Sequence, residues 1–290
     1  MKARKTPRTF APGKVQLTRE EQRSVTRGEF WIPEEERVIY KLALRTLNEH
    51  AVPYVVSGLY AMHAYTGIYR KTNDLDLFLE PRWIVTAVRA LKEHGFRVHL
   101  EEPHWLAKAR RDDATIDLIF GMGNGLGLID EAWYRHARAG ILAATQVRIA
   151  PAEELMWHRL YVSERHRHDM ADVLHLILCR GDELDWERLL RRLHQHHLLL
   201  IAHIHLFDFV YPGHRTRVPD WVRDHLVQLV AAGPGAPGDP TVCQGTLISR
   251  FSFSIDVKEW GLHDPREDAI RLTAALPIVH EIVESDVWND

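Results

Sequence analysis

The chain has 290 residues, enough for one large domain or two ordinary ones, and 46% of them are apolar against 27% charged, so a core of useful size can be buried. A net charge of −3 excludes a generally basic coat for nucleic acid, and two widely spaced cysteines exclude a disulfide framework. No apolar run reaches the ~18 residues of a bilayer span and the first residues lack the apolar stretch of a signal peptide, which together point to a cytoplasmic protein with no membrane partner.

Residues 1–29 form a basic arm, and over residues 1–28 Lys2, Arg4, Lys5, Arg8, Lys14, Arg19, Arg23 and Arg27 face only Glu20 and Glu21. With few apolar groups beside them they read as a flexible, solvated tail, the alternative being a contact arm for RNA or another polyanion. Pro33 followed by Glu34, Glu35 and Glu36 marks a helix start, with acids at its positive end. Val38, Leu42, Leu44 and Leu47 then suit an amphipathic helix. Pro53–Val56 reads as a short buried strand ending at Ser57-Gly58, and a helix holding Tyr60, Ala61, Ala64 and Tyr65 follows. Asp74–Leu79 alternates acidic and apolar residues as a strand does. Pro81 opens another helix, and strands are expected at Phe96–Leu100 and Ala114–Phe120. Strands interleaved with helices make residues 30–150 an α/β or α+β domain. Residues 151–232 are mainly helical, 233–240 are a Gly/Pro linker, and 241–290 form an extension with an extended stretch at Gly245–Val257 and a helix from Pro265 to Ser285.

The chemistry concentrates in Asp74-x-Asp76. Side chains at i and i+2 of a strand point to one face, so the two carboxylates converge. Such a pair is costly unless a cation neutralises it or a proton is shared, and hard oxygen ligands favour Mg²⁺ or Mn²⁺. Asp117 interrupts a second apolar strand, Thr115–Phe120, and is the candidate third ligand. Upstream, Ser57 and Gly58 lie where a strand turns into a helix, and free amides with the helix dipole suit phosphate there.

The string Ser57-Gly58, Gly67-x-x-Arg70-x-Thr72-x-Asp74-x-Asp76, with Asp117 downstream, resembles the signature of the polymerase β-type nucleotidyltransferases. It is closest to the branch of abortive-infection toxin nucleotidyltransferases. Pro151–Leu155 followed by Arg165-His166-Arg167-His168-Asp169-Met170-Ala171-Asp172 resembles the second signature of that branch, so the resemblance spans roughly residues 35–180. It implies a small mixed sheet flanked by helices, with a mainly helical region after it. It also implies transfer of a nucleoside monophosphate from an NTP to an acceptor by two-metal catalysis. In that scheme Asp74, Asp76 and Asp117 are the catalytic residues and metal ligands. Ser57, Gly58, Arg70, Thr72, Arg159, Asp169 and Asp172 are candidates for contact with the nucleotide and its phosphates. The acceptor is left open among tRNA, a protein and a small molecule, and the resemblance brings in a cognate antitoxin as a candidate partner. Two departures stand out. Ser57 replaces the usual first glycine, and His158 or Arg159 occupies the place of the usual lysine, which Arg matches in charge but not in shape.

Three other readings compete. A non-catalytic nucleotide-binding or regulatory protein would keep the same fold. His168-Asp169 matches the core dipeptide of HD-type phosphohydrolases. His194 and His197 are a helical turn apart, yet no His-Glu-x-x-His motif accompanies them. Gly121–Gly127 fails the spacings of both dinucleotide-binding and P-loop motifs and reads as a flexible turn.

Overall fold

The computed structural model describes residues 30–233 and 238–289; the basic arm and residues 234–237 of the Gly/Pro linker lie outside the described residues. Helix α1 (Glu34–Glu49) starts after Pro33 with its three glutamates in the first turn. It buries Ile39, Tyr40, Ala43, Leu44 and Leu47, whereas Val38 is 59% exposed. The helix is thus rotated from the face expected at Val38, because the larger stripe through Tyr40 and Leu44 gives more apolar burial.

Strand β1 (Val55–Val56) leads into α2 (Gly58–Thr66), and β2 (Asp74–Phe78) returns beside it. A 3₁₀ turn and α3 (Ile84–Glu93) carry the chain to β3 (Arg97–Glu102), β4 (Leu106–Arg111) and β5 (Ala114–Ile119). After the short helix α4 (Glu131–Arg135) come β6 (Arg138–Leu142) and β7 (Thr145–Ile149). All seven strands join one mixed sheet in the order β3-β4-β5-β2-β1-β7-β6. The β2–β5 and β1–β7 pairs are parallel and the others antiparallel.

Period-two alternation gives the β3-β4-β5-β2 half of this sheet two unlike faces. Leu75, Leu77, Val98, Ala107, Ala109, Ile116 and Leu118 are buried on one, against which α1 and α3 pack. The opposite face carries the charged residues. Helices α5 (Ala152–Leu160), α6 (Met170–Arg180), α7 (Trp186–Leu193), α8 (His197–Val210) and α9 (Asp220–Ala232) follow, with α5 and α6 packed on α2. The chain is therefore a mixed α/β sheet flanked by helices and continued by a mainly helical region.

The last fifty residues depart from expectation. Gly245–Val257 is not extended: it holds a 3₁₀ turn at Gln244–Leu247 and the short helix α10 (Ser254–Lys258). Alternating Phe and Ser residues offer a strand pattern, but the segment pairs with neither edge of the sheet. The expected C-terminal helix is two, α11 (Pro265–Ala274) and α12 (Pro277–Val283), broken where Pro277 removes an amide donor. The turn at Gly121–Gly127 docks this extension. Thr273 Oγ1 donates to the Gly125 carbonyl (2.8 Å), Arg266 to that of Gly123 (3.1 Å), and Asn124 donates to that of Leu247 (3.1 Å). No helix among the described residues is long and apolar enough to cross a membrane.

Candidate functional site

The β2–β5 pairing sets Asp76 directly opposite Asp117 and Asp74 opposite Thr115. In a parallel pair, residues in register share a face, so all three aspartates stand on the open face of the sheet. Asp76 hangs beneath the turn into α2. The Ser57 amide donates to its backbone carbonyl at 3.0 Å, and a Cβ added at Gly58 would lie 1.8 Å from its Oδ2. Gly58 also has φ +57°, so both backbone and carboxylate demand glycine. For the activity that the signature implies, Gly58→Ala is expected to displace Asp76 and to lower nucleotide turnover by about 10²-fold or more, as ångström-scale misplacement of a site does. Turnover within a factor of two of wild type would refute that role.

Each acid is held differently. Thr72 Oγ1 donates to Asp74 Oδ1 at 2.6 Å. Lys108, the β4 residue paired with Asp117, puts its Nζ 2.8 Å from both oxygens of that carboxylate. Burial pushes the Asp117 carboxyl up, with Lys108 opposing and Asp74 adding to the rise. Asp76 is pushed up to about 7, first by burial and then by the like charges of Asp74 and Asp117, against a smaller pull from Arg167 and Arg159. Among the described residues no three His, Cys, Asp or Glu groups are already drawn together as a metal cage requires. Asp117 is turned toward Lys108 and Asp74 toward Thr72. Even so, three hard carboxylates on one face, one of them discharged near neutrality by its neighbours, are a donor set that fits a divalent cation.

The Asp76 shift has a sign that can be checked without metal. Its folded pKa lies above the unfolded value, so the folded state holds the extra proton between about pH 4 and pH 7, and that stabilisation is lost as pH rises through 7. Asp76→Asn, which mimics the neutral acid, should therefore stabilise the chelator-treated protein at pH 8 by a few °C more than at pH 5. An equal melting shift at both pH values would place Asp76 in an ordinary solvated setting.

The helical signature residues assemble next to the acids. Arg159 is 3% exposed, with Nη1 2.6 Å from Asp169 and 2.7 Å from Asp172. Arg70, from the loop before β2, reaches both oxygens of Asp172 at 2.6 Å, and Arg167 reaches Asp169 at 3.3 Å. Arg159, Asp169 and Asp172 thus brace α5, α6 and the Arg70 loop as one ion network. His158 is pushed down to about 3 by burial and by Arg167 and Arg159, so it is neutral. Neither residue at the expected lysine position offers a free cation to the cleft.

Arg167, which stands in the second signature string, pairs with Asp169 and also faces the acids. Its side chain is 59% exposed and acts electrostatically on both Asp76 and Asp74. The loop that carries it is pinned by the C-terminal extension. Ser163 N donates to the Ile248 carbonyl (3.0 Å), and Glu164 accepts from Ser249 Oγ (2.6 Å) and the Arg250 amide (2.9 Å). These hydrogen bonds, between residues more than eighty apart in sequence, bring Arg167 to the acids.

A cavity of about 860 Å³ lies elsewhere, between Leu126–Asp130, Trp157 and the residues Arg188–His196. His194 and His196 line it, and His197 follows them at the start of α8, without forming a metal site.

Comparison with family models and with curated protein sequences gives no match. Several solved structures match. The antibiotic-resistance factor ANT(2'')-Ia in solution is 19% identical, covered over 99% of its length by 60% of this chain, at a TM-score of 0.41. The lincosamide antibiotic adenylyltransferase LnuA is 12% identical over 96% of its length and 50% of this chain, at 0.36. An antigenic nucleotidyltransferase-like protein from Paracoccidioides brasiliensis is 14% identical over 93% of its length and 59% of this chain, also at 0.36.

Proposed function

We propose that this chain is a polymerase β-type nucleotidyltransferase that moves a nucleoside monophosphate from an NTP to an acceptor hydroxyl. The observation that carries the reading is the register of Asp76 with Asp117, two residues from Asp74, beneath the amino end of α2. Three acids on one sheet face beside free helix amides form a triphosphate-and-cation site rather than a scattered set of surface charges.

Asp74, Asp76 and Asp117 would hold Mg²⁺ or Mn²⁺, which when bound supplies neutralisation of the triphosphate and a more acidic acceptor hydroxyl. The amides at the start of α2 and Ser57-Gly58 contact phosphate oxygens. Arg167 balances charge on the phosphates. Asp117 takes the proton of the acceptor hydroxyl, whose oxygen bonds to the α-phosphorus as the bond to the β-phosphate oxygen breaks and pyrophosphate leaves. Lys108 holds the Asp117 carboxylate until a cation competes for it. Arg70, Arg159, Asp169 and Asp172 hold the framework, and Thr72 orients Asp74.

A second reading, a nucleotide-binding protein without turnover, is favoured by one observation: the cations Lys108 and Arg159 are already bound by acids. The two separate on incubation with each α-labelled NTP and Mg²⁺ in the presence of RNA and protein acceptors. Pyrophosphate release with label on an acceptor is the expected result. Binding without pyrophosphate would favour the second reading, and release of orthophosphate alone would point to a hydrolase.

A further inference from the structure

The open face of the sheet does not end at Asp117. Register carries one row across four strands, His99–Lys108–Asp117–Asp76, and a second beside it, Arg97–Arg110–Thr115–Asp74. Neighbouring strands lie about 4.8 Å apart, so Arg110 and Arg97 stand about 10 and 14 Å from Asp74 along that second row. Both arginines are exposed, and neither is in an ion pair among the described residues. His99 is engaged by Glu101 at 2.7 Å and Lys108 by Asp117, so Arg97 and Arg110 are the cations of this face left for a ligand. The face is graded: Asp74, Asp76 and Asp117 stand on β2 and β5, while β4 and β3 carry Lys108, Arg110, Arg97 and His99 with one acid, Glu101, which pairs with His99 and lies within the electrostatic reach of Arg110.

We propose that this strip is the acceptor surface, and that the acceptor is a nucleic-acid strand whose hydroxyl end lies at Asp74 and Asp76 while its phosphodiester backbone crosses Arg110 and Arg97. Charge complementarity carries the choice of occupant. An uncharged or cationic small acceptor gains nothing from two unpaired guanidiniums, whereas successive phosphates are paired by them bidentately. The proposal rests on the transferase reading for the hydroxyl end, and on the strip alone for the strand.

The full chain is titrated with a labelled single-stranded RNA about ten nucleotides long, and with poly-glutamate of equal charge, at about 50 mM salt. Arg97→Glu/Arg110→Glu should weaken RNA binding at least tenfold. Arg97→Gln/Arg110→Gln should flatten the salt dependence by about 0.7 for each phosphate no longer neutralised. Arg45→Glu, a similar charge reversal on the exposed side of α1, should leave RNA binding unchanged. Equal RNA affinity in wild type and the charge-reversed protein would overturn the proposal, as would poly-glutamate binding as tightly as RNA. Thermal protection by NTP and Mg²⁺ is read on the same samples. Protection without a role for Arg97 and Arg110 sinks the strip and spares the transferase. RNA binding abolished on charge reversal, with no NTP protection in any sample, supports the strip and sinks the transferase.

Discussion

Asp76→Asn should lower metal-dependent nucleotide turnover by roughly 10³-fold, a loss of about 4 kcal/mol of transition-state stabilisation, while leaving the fold intact. The size follows from position. Asp76 lies between Asp74 and Asp117 on the sheet face and touches the Gly58 turn, so its carboxylate is shared by the acidic cluster and the proposed phosphate cradle. The fold survives because Asn keeps the shape of the protonated acid, the form that burial and two like charges favour without metal. A variant that loses turnover and also melts early would signal collapse of the turn. Unchanged turnover with a normal melting curve would remove Asp76 from the chemistry.

Arg159→Ala should be the most destabilising single change near the site, by about 3–5 kcal/mol, because it strands two buried carboxylates. Asp169 is 7% exposed and Asp172 2%. Arg70 and Arg167 each keep one of them, but neither replaces the guanidinium that bridges both. Burial alone would raise the Asp169 carboxyl; Arg159 and Arg167 outweigh it and hold it low. That contribution is present at neutral pH and is lost as pH falls through the depressed folded value, so the cost of removing Arg159 should be largest near neutral pH and should shrink on acidification. Arg159→Lys keeps charge without the planar fork and should lie between the two. Denaturant titration decides it: a midpoint change worth under 1 kcal/mol in Arg159→Ala would show that the network relaxes around water.

Much of the site is legible in the sequence because strand geometry writes it there. Asp74, Asp76 and Asp117 each break an apolar strand, and alternation alone places the first two on one face. The register that sets Asp76 against Asp117 is a tertiary fact with no local signal. Strand β4 escapes detection because Leu106–Arg111 is half cationic, its open face bearing Lys108 and Arg110. Strand β6 escapes because it is an edge, with Ile141 77% exposed. Arg167 stands in the second signature string, but its place beside the acids is not legible there, because its loop is held by Ser249 and Arg250 far downstream. The opposite error occurs at Gly245–Val257, where alternating Phe and Ser imitate a strand but the chain folds into a 3₁₀ turn and a short helix.

Thermal stability with each NTP, with and without Mg²⁺, tests the proposed nucleotide site most directly, because ligand binding raises stability without knowledge of the acceptor. A rise of about 5–10 °C at a hundredfold excess over Kd is predicted, dependent on Mg²⁺, strongest for one nucleotide, and absent in Asp74→Asn/Asp76→Asn. A rise that persists in that double variant, or no rise with any nucleotide, would contradict it.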